Sequence, residues 1–96
     1  MSDLIIPVKA EFFHAIRSGS KTHEYRERKE YWRKRLVNRN YDRVIITLGY
    51  PSADDYSKRI VCKYKGFTEE TITHHHFGND PIDVYAIDVT DQEGAE

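Results

Sequence analysis

The segment IDVYAIDV, residues 82–89, alternates with a period of two, which is the side-chain period of a β-strand. The two faces of this strand are Ile82, Val84, Ala86 and Asp88, and Asp83, Tyr85, Ile87 and Val89. Both faces carry apolar residues. The segment therefore predicts a strand in a sheet with little solvent exposure.

Four further segments have the composition of strands and end at glycine, proline or polar residues. They are residues 4–8 (LIIPV), 21–27 (KTHEYRE), 42–51 (DRVIITLGYP) and 58–67 (KRIVCKYKGF). The chain has 96 residues, and every parallel crossover needs a dozen or more, so a long parallel sheet does not fit. Pro7 cannot donate to a ladder, which predicts that the first strand lies at an edge or that its nitrogen points away from a partner strand. We expect an α+β fold: a small mixed or antiparallel β-barrel of about five strands, with two or three helices packed around it.

Two segments have helical periodicity. Phe12, Phe13 and Ile16 recur at helical spacing within residues 9–18, and Gly19 follows where a left-handed C-terminal residue is favoured.

The second helical segment, residues 28–39, places Trp32 and Leu36 on one side, which predicts core positions for both. Residues 68–81 predict a short helix or a long loop, because Thr68 followed by Glu69 and Glu70 is typical of a helix N-terminus.

Composition predicts one domain over residues 1–90 and a disordered acidic tail over residues 91–96. The single cysteine, Cys62, excludes an intramolecular disulfide, and its apolar context predicts a buried, unreactive thiol. No apolar run is long enough to span a bilayer, and no signal peptide is visible. We expect a soluble cytoplasmic monomer that has no contact with membranes.

The net charge of −1 hides a strong asymmetry. Residues 21–43 contain nine Lys or Arg against four acids, whereas residues 68–96 contain eight acids and no Lys or Arg. The basic segment is typical of a surface for a polyanion or of a solvated helix face. The acidic C-terminal third leaves open a protein partner.

The octapeptide GSKTHEYR, residues 19–26, concentrates charge directly after a turn glycine. In a flat strand Glu24 and Arg26 share one face, whereas Lys21 lies on the other. Lys21 therefore meets Glu24 only if the strand starts later or carries a bulge. The Glu24–Arg26 pair has two interpretations: an ion pair that braces the fold, or a site in which the cations hold a phosphate and Glu24 a base edge or hydroxyl.

This octapeptide resembles the Gly-x-Lys-x-x-Glu-x-Arg motif of the ASCH domain, a branch of the PUA-like superfamily. The segments YWRKRL and YDRVIITLGYP are similar to small bacteriophage and bacterial members of that family. The resemblance implies a small β-barrel with a cleft for RNA or a nucleotide. It also implies that Lys21, Glu24 and Arg26 line this cleft and that Gly19 forms the turn.

Some ASCH proteins hydrolyse an acyl group from a modified cytidine, and RNA cleavage has been proposed for others. The resemblance therefore implies an alternative function as a small hydrolase, with Lys21 and Glu24 as its catalytic residues. The amidohydrolases carry a nucleophilic threonine three residues after the lysine, and Glu24 occupies that position here. This difference argues against an acyl-enzyme mechanism.

Our leading hypothesis is an RNA- or nucleotide-binding domain with a basic rim. Aromatic residues interleaved with cations are typical of single-strand binding, and Tyr25, Tyr50 and Tyr56 are stacking candidates. The candidate ligand-binding residues are Gly19, Lys21, Glu24, Tyr25, Arg26, Arg28, Lys29 and Arg33.

The histidines are the remaining candidates for metal binding or acid–base catalysis. His74, His75 and His76 are consecutive, and neither helical nor strand spacing points all three at one metal, so no metal or cofactor is predicted. His23 is a candidate acid or base beside the motif, and Glu69 or Glu70 is a candidate second carboxylate.

Overall fold

The computed structural model describes residues 2–52, 54–73 and 80–93. In these ranges the chain forms six strands, two helices and one short 3₁₀ turn. The elements are β1 (Asp3–Val8), α1 (Ala10–Ser18), β2 (His23–Glu27), α2 (Glu30–Leu36), β3 (Arg43–Leu48), the 3₁₀ turn (Tyr56–Lys58), β4 (Arg59–Lys63), β5 (Phe67–Ile72) and β6 (Ile82–Asp88). No helix in this part of the chain is both long and apolar enough to cross a membrane.

The first sheet, called sheet A, has the strand order β1-β3-β4. Strands β1 and β3 are parallel, with Asp3 opposite Arg43 and Val8 opposite Leu48, whereas β4 pairs with β3 in the antiparallel direction. Strand β1 lies at the edge, which confirms the prediction from Pro7. Because β1 and β3 are parallel, their carboxyl ends lie at the same end of sheet A.

The second sheet, sheet B, has the order β2-β6-β5 and is antiparallel throughout. Strand β6 is central, and its four consecutive residues 84–87 are buried, as the apolar character of both faces predicted. The α+β class and the mixed strand directions are confirmed. In the described part of the chain the strands form two three-stranded sheets, and no closed barrel is found.

The prediction of a short helix or long loop over residues 68–81 was wrong for residues 68–72, which lie in strand β5. Phe67 pairs with Ile87 and Ile72 with Ile82, so β5 completes the open side of β6. The cap-like residues Thr68 and Glu69 are instead exposed residues of an edge strand. A local cap is worth about 1 kcal/mol, and a row of ladder bonds with β6 outweighs it.

The two helices pack against the sheets through short apolar faces. Phe13 and Ile16 of α1 are buried, and Gly19 ends the helix in the left-handed conformation at φ 87°, as predicted. In α2, Leu36 is fully buried and Trp32 packs against the core from a partly buried position. The core is built from β1, β3, β4, β6 and both helices.

The chain after β6 differs from the disordered tail that composition predicted. Gln92 forms a β-bridge with Cys62, and its side-chain amide donates to the carbonyl of Ile16 at 2.7 Å. The Glu93 N–H donates to the carbonyl of Val61 at 2.7 Å. These bonds cover the outer edge of β4, so residues 91–93 belong to the fold. Residues 94–96 lie outside the described residues.

Cys62 is fully buried beneath this bridge, as predicted. Burial raises the pKa of its thiol to about 11, and the nearby carboxylate of Asp91 contributes in the same direction. The thiol is therefore protonated and unreactive near neutral pH.

Candidate functional site

A cleft of about 640 Å³ opens at the carboxyl ends of β1 and β3. Its walls come from these two ends, from the first turns of α1 and α2, and from the loop and strand that follow α1. The lining residues are Pro7, Val8, Lys9, Phe12, Lys21, Glu24, Tyr25, Arg26, Glu27, Lys29, Tyr31, Trp32, Gly49 and Tyr50. The cleft therefore brings together residues that are far apart in the sequence.

Irregular backbone after α1 carries Lys21 to this cleft. The Lys21 N–H donates to the carbonyl of Ala15 at 3.0 Å, which turns the chain back over the last turn of the helix. Strand pairing begins only at His23, so Lys21 is not part of the flat strand. Its ammonium lies 3.8 Å from Glu24 Oε1. The sequence predicted that Lys21 contacts Glu24 only if the strand starts late or carries a bulge. The strand does start late.

Glu24 is the centre of the polar wall. Its side chain is only 7% exposed, and Arg26 Nη2 lies 3.0 Å from its Oε2. Lys21, Glu24 and Arg26 thus form one cluster, called the ionic triad below. Two cations flank the carboxylate, which offsets the cost of removing it from water.

Arg26 also joins the two sheets. Its Nη2 donates to the carbonyl of Pro7 at 2.7 Å, which ties β2 to the end of β1. The Nε atom of Arg26 is buried and has no hydrogen-bond partner in the described part of the chain. Buried polar atoms without a partner are rare in folded proteins, and a functional role is one of the explanations for them.

Aromatic rings surround the triad. The Lys21 ammonium lies 5.2 Å from the ring centre of Phe12 and 4.6 Å from that of Tyr25, and the Arg26 guanidinium lies 5.2 Å from the ring centre of Trp32. These are cation–π distances. Trp32 was predicted to be a core residue, but it both packs on the core and lines the cleft.

The basic rim is smaller than the sequence predicted. Lys29 lines the cleft and pairs with Glu27 at 2.9 Å. Gly19, Arg28 and Arg33 were predicted to bind the ligand, but they are not among the lining residues.

The partners of these two arginines explain their positions. Arg28 follows β2 and reaches Asp83 at 3.2 Å and Glu69 at 3.5 Å on sheet B, and Arg33 forms an ion pair with Glu30 one helical turn earlier. Part of the basic segment is therefore neutralised by acids of the same chain, including two from the acidic C-terminal third.

Several lining residues were not singled out as site residues by the sequence, among them Pro7, Val8, Lys9, Phe12, Glu27 and Gly49. Lys9 is exposed, follows β1 directly, and has no ion-pair partner within the described ranges. Gly49 directly follows β3. Parallel pairing of β1 with β3 places both residues at one end of sheet A, so knowledge of this pairing would have identified them.

The other candidate groups lie elsewhere. His23 does not line the cleft, and its Nδ1 lies 2.9 Å from the Thr22 hydroxyl. Glu69 and Glu70 are on β5 and do not line it either, so the structure does not bring the candidate second carboxylate to the cleft. Residues 74–76 are outside the described residues.

The chemistry of the site follows from the side chains present. Within the described residues, no group of three or more His, Cys, Asp or Glu is placed to hold a metal ion. The lining residues include no serine, threonine or cysteine. What the cleft offers is stacking surface, two cations beside a buried carboxylate, and lysines at its rim.

Comparisons of the chain with protein-family models, with curated proteins and with solved structures gave no match.

Proposed function

We propose that the cleft binds one nucleotide of a single-stranded RNA or a free nucleotide, and that the chain is an RNA- or nucleotide-binding domain of the ASCH, PUA-like type. The observation that supports this most strongly is the ionic triad on the wall of an aromatic-lined cleft. Sheets A and B would then be the two parts of the PUA-like barrel.

The size of the cleft favours one unstacked nucleotide. A volume of about 640 Å³ is within the range of roughly 300–1,000 Å³ that small-ligand pockets occupy. The bases of a duplex are paired and stacked, whereas those of a single strand can turn out and stack on aromatic rings. Tyr25, Tyr31 and Trp32 supply such rings in the cleft.

The polar residues have separate roles in this proposal. Glu24 accepts a hydrogen bond from a base edge or a ribose hydroxyl, while Lys21 and Arg26 hold its carboxylate in place. Lys9 and Lys29 contact phosphate oxygens at the rim. Charge-assisted hydrogen bonds of this kind are about twice as strong as neutral ones.

The test uses the single tryptophan, Trp32, as a reporter inside the cleft. Single-stranded RNA of random sequence is titrated at 50 and 200 mM salt while tryptophan fluorescence and RNA anisotropy are recorded. We expect a fluorescence change at 50 mM salt and weaker binding at 200 mM, because each phosphate contact releases counterions. Absence of any binding at 50 mM salt would remove the proposal.

Matched lysine variants locate the binding surface. Lys9→Ala should weaken binding about fivefold by removing one phosphate contact, and its side chain caps no helix N–H. Lys63 is the control. It is exposed and lies opposite Arg43 in the register of β3 and β4, at the end of sheet A away from the cleft. Equal effects of Lys9→Ala and Lys63→Ala would mean that binding is non-specific.

The triad also supports the alternative, a hydrolase acting on RNA or on an N-acylated nucleoside. Here Glu24, beside Lys21 in the cleft, would activate a water as general base, and Lys21 would stabilise the developing oxyanion. The binding proposal leads because the lining residues include no serine, threonine or cysteine nucleophile. Mass spectrometry of both substrates after incubation decides: turnover abolished by Lys21→Ala and kept by Lys63→Ala supports the hydrolase.

A further inference from the structure

A second, smaller cavity of about 200 Å³ lies beside the cleft, at the outer face of sheet A. We call it the Ile5 groove. Its lining residues include Ile5, Ile45 and Arg59. Gly49 and Tyr50, together with one residue of β1, line both cavities, so the groove continues the cleft.

The groove is apolar and uncovered in the described part of the chain. Sheet A buries alternate residues of β1 in the core, so Ile5 faces outward and is 59% exposed. Tyr50 follows Gly49, whose φ of 63° turns the chain at the end of β3, and Tyr50 is 92% exposed. Exposed apolar side chains next to a binding cleft indicate an interaction surface.

The charge of the groove suits an anionic occupant. No acidic side chain is among its described lining residues. The guanidinium of Arg59 is held in position by the carbonyls of Asp55, at 3.3 Å, and Ser52, at 3.1 Å. A positioned guanidinium beside apolar and aromatic side chains can hold a phosphate linked to a stacked base.

We propose that the Ile5 groove is the subsite for the nucleotide adjacent to the one in the cleft. Tyr50 stacks on a base at the boundary, and Arg59 contacts the phosphate that joins the two nucleotides. This inference rests on the proposed function and makes it narrower: the ligand is a single-stranded oligonucleotide of at least two residues and not a free nucleoside.

The experiment compares two ligand lengths. Trp32 fluorescence gives the Kd for a random-sequence RNA tetranucleotide and for an equimolar mixture of the four ribonucleoside 5′-monophosphates. We expect the tetranucleotide to bind at least tenfold more tightly to the unmodified protein. Ile5→Glu places a negative charge in the groove only, so it should remove this tenfold advantage and leave mononucleotide binding unchanged.

Two controls separate charge from packing. Ile5→Gln has the same size without the charge and should keep most of the tetranucleotide advantage, and Ile5→Lys should keep or increase it. Because Ile5 is largely exposed, all three variants should retain the wild-type circular dichroism spectrum.

The outcomes distinguish this inference from the proposed function. If mononucleotides bind but the tetranucleotide binds no more tightly, or Ile5→Glu leaves the ratio unchanged, the groove subsite is wrong and the cleft proposal stands. If neither ligand binds, both are wrong. If the protein sediments as a dimer that Ile5→Glu dissociates, the groove is the contact to a second copy and the subsite is also wrong.

Discussion

Two carboxylate–guanidinium pairs of nearly equal length lie at opposite ends of sheet A. In the cleft, Arg26 Nη2 is 3.0 Å from Glu24; at the far end, Arg43 Nη2 is 2.9 Å from Asp3. Their lengths alone give no reason to treat them differently. Their surroundings do.

At the far end the pair is complete. Arg43 donates to Asp3 through both Nε, at 3.0 Å, and Nη2, at 2.9 Å, and the two residues are directly paired in the register of β1 and β3. In the cleft, a third charge, Lys21, joins the pair, and the Nε of Arg26 has no hydrogen-bond partner in the described ranges. The first arrangement braces a sheet, whereas the second lies on the wall of a cavity.

The largest expected difference between the two pairs is in stability. Glu24→Ala leaves Lys21 and Arg26 without their buried carboxylate and should lower the free energy of unfolding by about 3 kcal/mol. Asp3→Ala should lower it much less, because this pair is partly exposed. Urea unfolding followed by circular dichroism measures both. Equal losses would mean that the Glu24–Arg26 pair is no more buried in solution than the Asp3–Arg43 pair.

The next effect concerns the thiol of Cys62, which lies towards the end of sheet A away from the cleft. The pKa of Cys62 is raised from 9.0 to about 11, so the folded protein keeps this proton to higher pH than the unfolded chain. The resulting stabilisation is complete below pH 9 and is lost as pH rises towards 11, by about 2 kcal/mol. Cys62→Ala should show a shallower loss of stability over this pH range. An identical pH profile in the variant would contradict the assignment.

A smaller effect is expected in RNA affinity. Lys21→Ala removes a cation from the triad and should weaken single-stranded RNA binding about tenfold, while Arg43→Ala at the far end leaves it unchanged. Both variants lose one ion pair with a carboxylate, so the comparison corrects for general loss of charge. Anisotropy titrations at 50 mM salt measure it. Similar weakening by the two variants would place the ligand outside the cleft.

The smallest expected effect is the loss of stability at acidic pH that comes from the Asp3–Arg43 pair. The hydrogen bond from Arg43 holds the pKa of Asp3 below its usual 3.8. Its contribution to stability is therefore present above pH 3.8 and is lost as pH falls through the folded-state value. Asp3→Asn should remove this part of the acid dependence. Thermal melts of both proteins between pH 2.5 and 5 test it, and parallel curves would contradict it.

The features that sequence predicted depend on local chemistry. Pro7 predicts an edge because it lacks an N–H, and Gly19 predicts a left-handed helix end. The contact between Lys21 and Glu24 required an irregular start of β2, and the structure has one. In each case, the physical cause lies within a few residues of its effect.

The features that sequence missed depend on partners distant in the chain. Residues 68–72 form part of a strand because β6 has an open edge beside them. Gln92 is ordered because it forms a β-bridge with Cys62 and donates to the carbonyl of Ile16. Arg28 was predicted to bind the ligand but does not line the cleft, because it pairs with Asp83, 55 positions later in the printed sequence. Charge spacing along one segment contains none of this information.

The most direct test of the account is a ¹H–¹⁵N correlation titration of the full chain with a random-sequence RNA tetranucleotide at 50 mM salt. We predict that amide shifts concentrate at residues 8–9, 21–27 and 49–50, around the cleft, and that Asp3, Arg43 and Lys63 at the far end do not move. Shifts concentrated at the far end, or no shifts at millimolar RNA, would contradict the assignment of the cleft as the binding site.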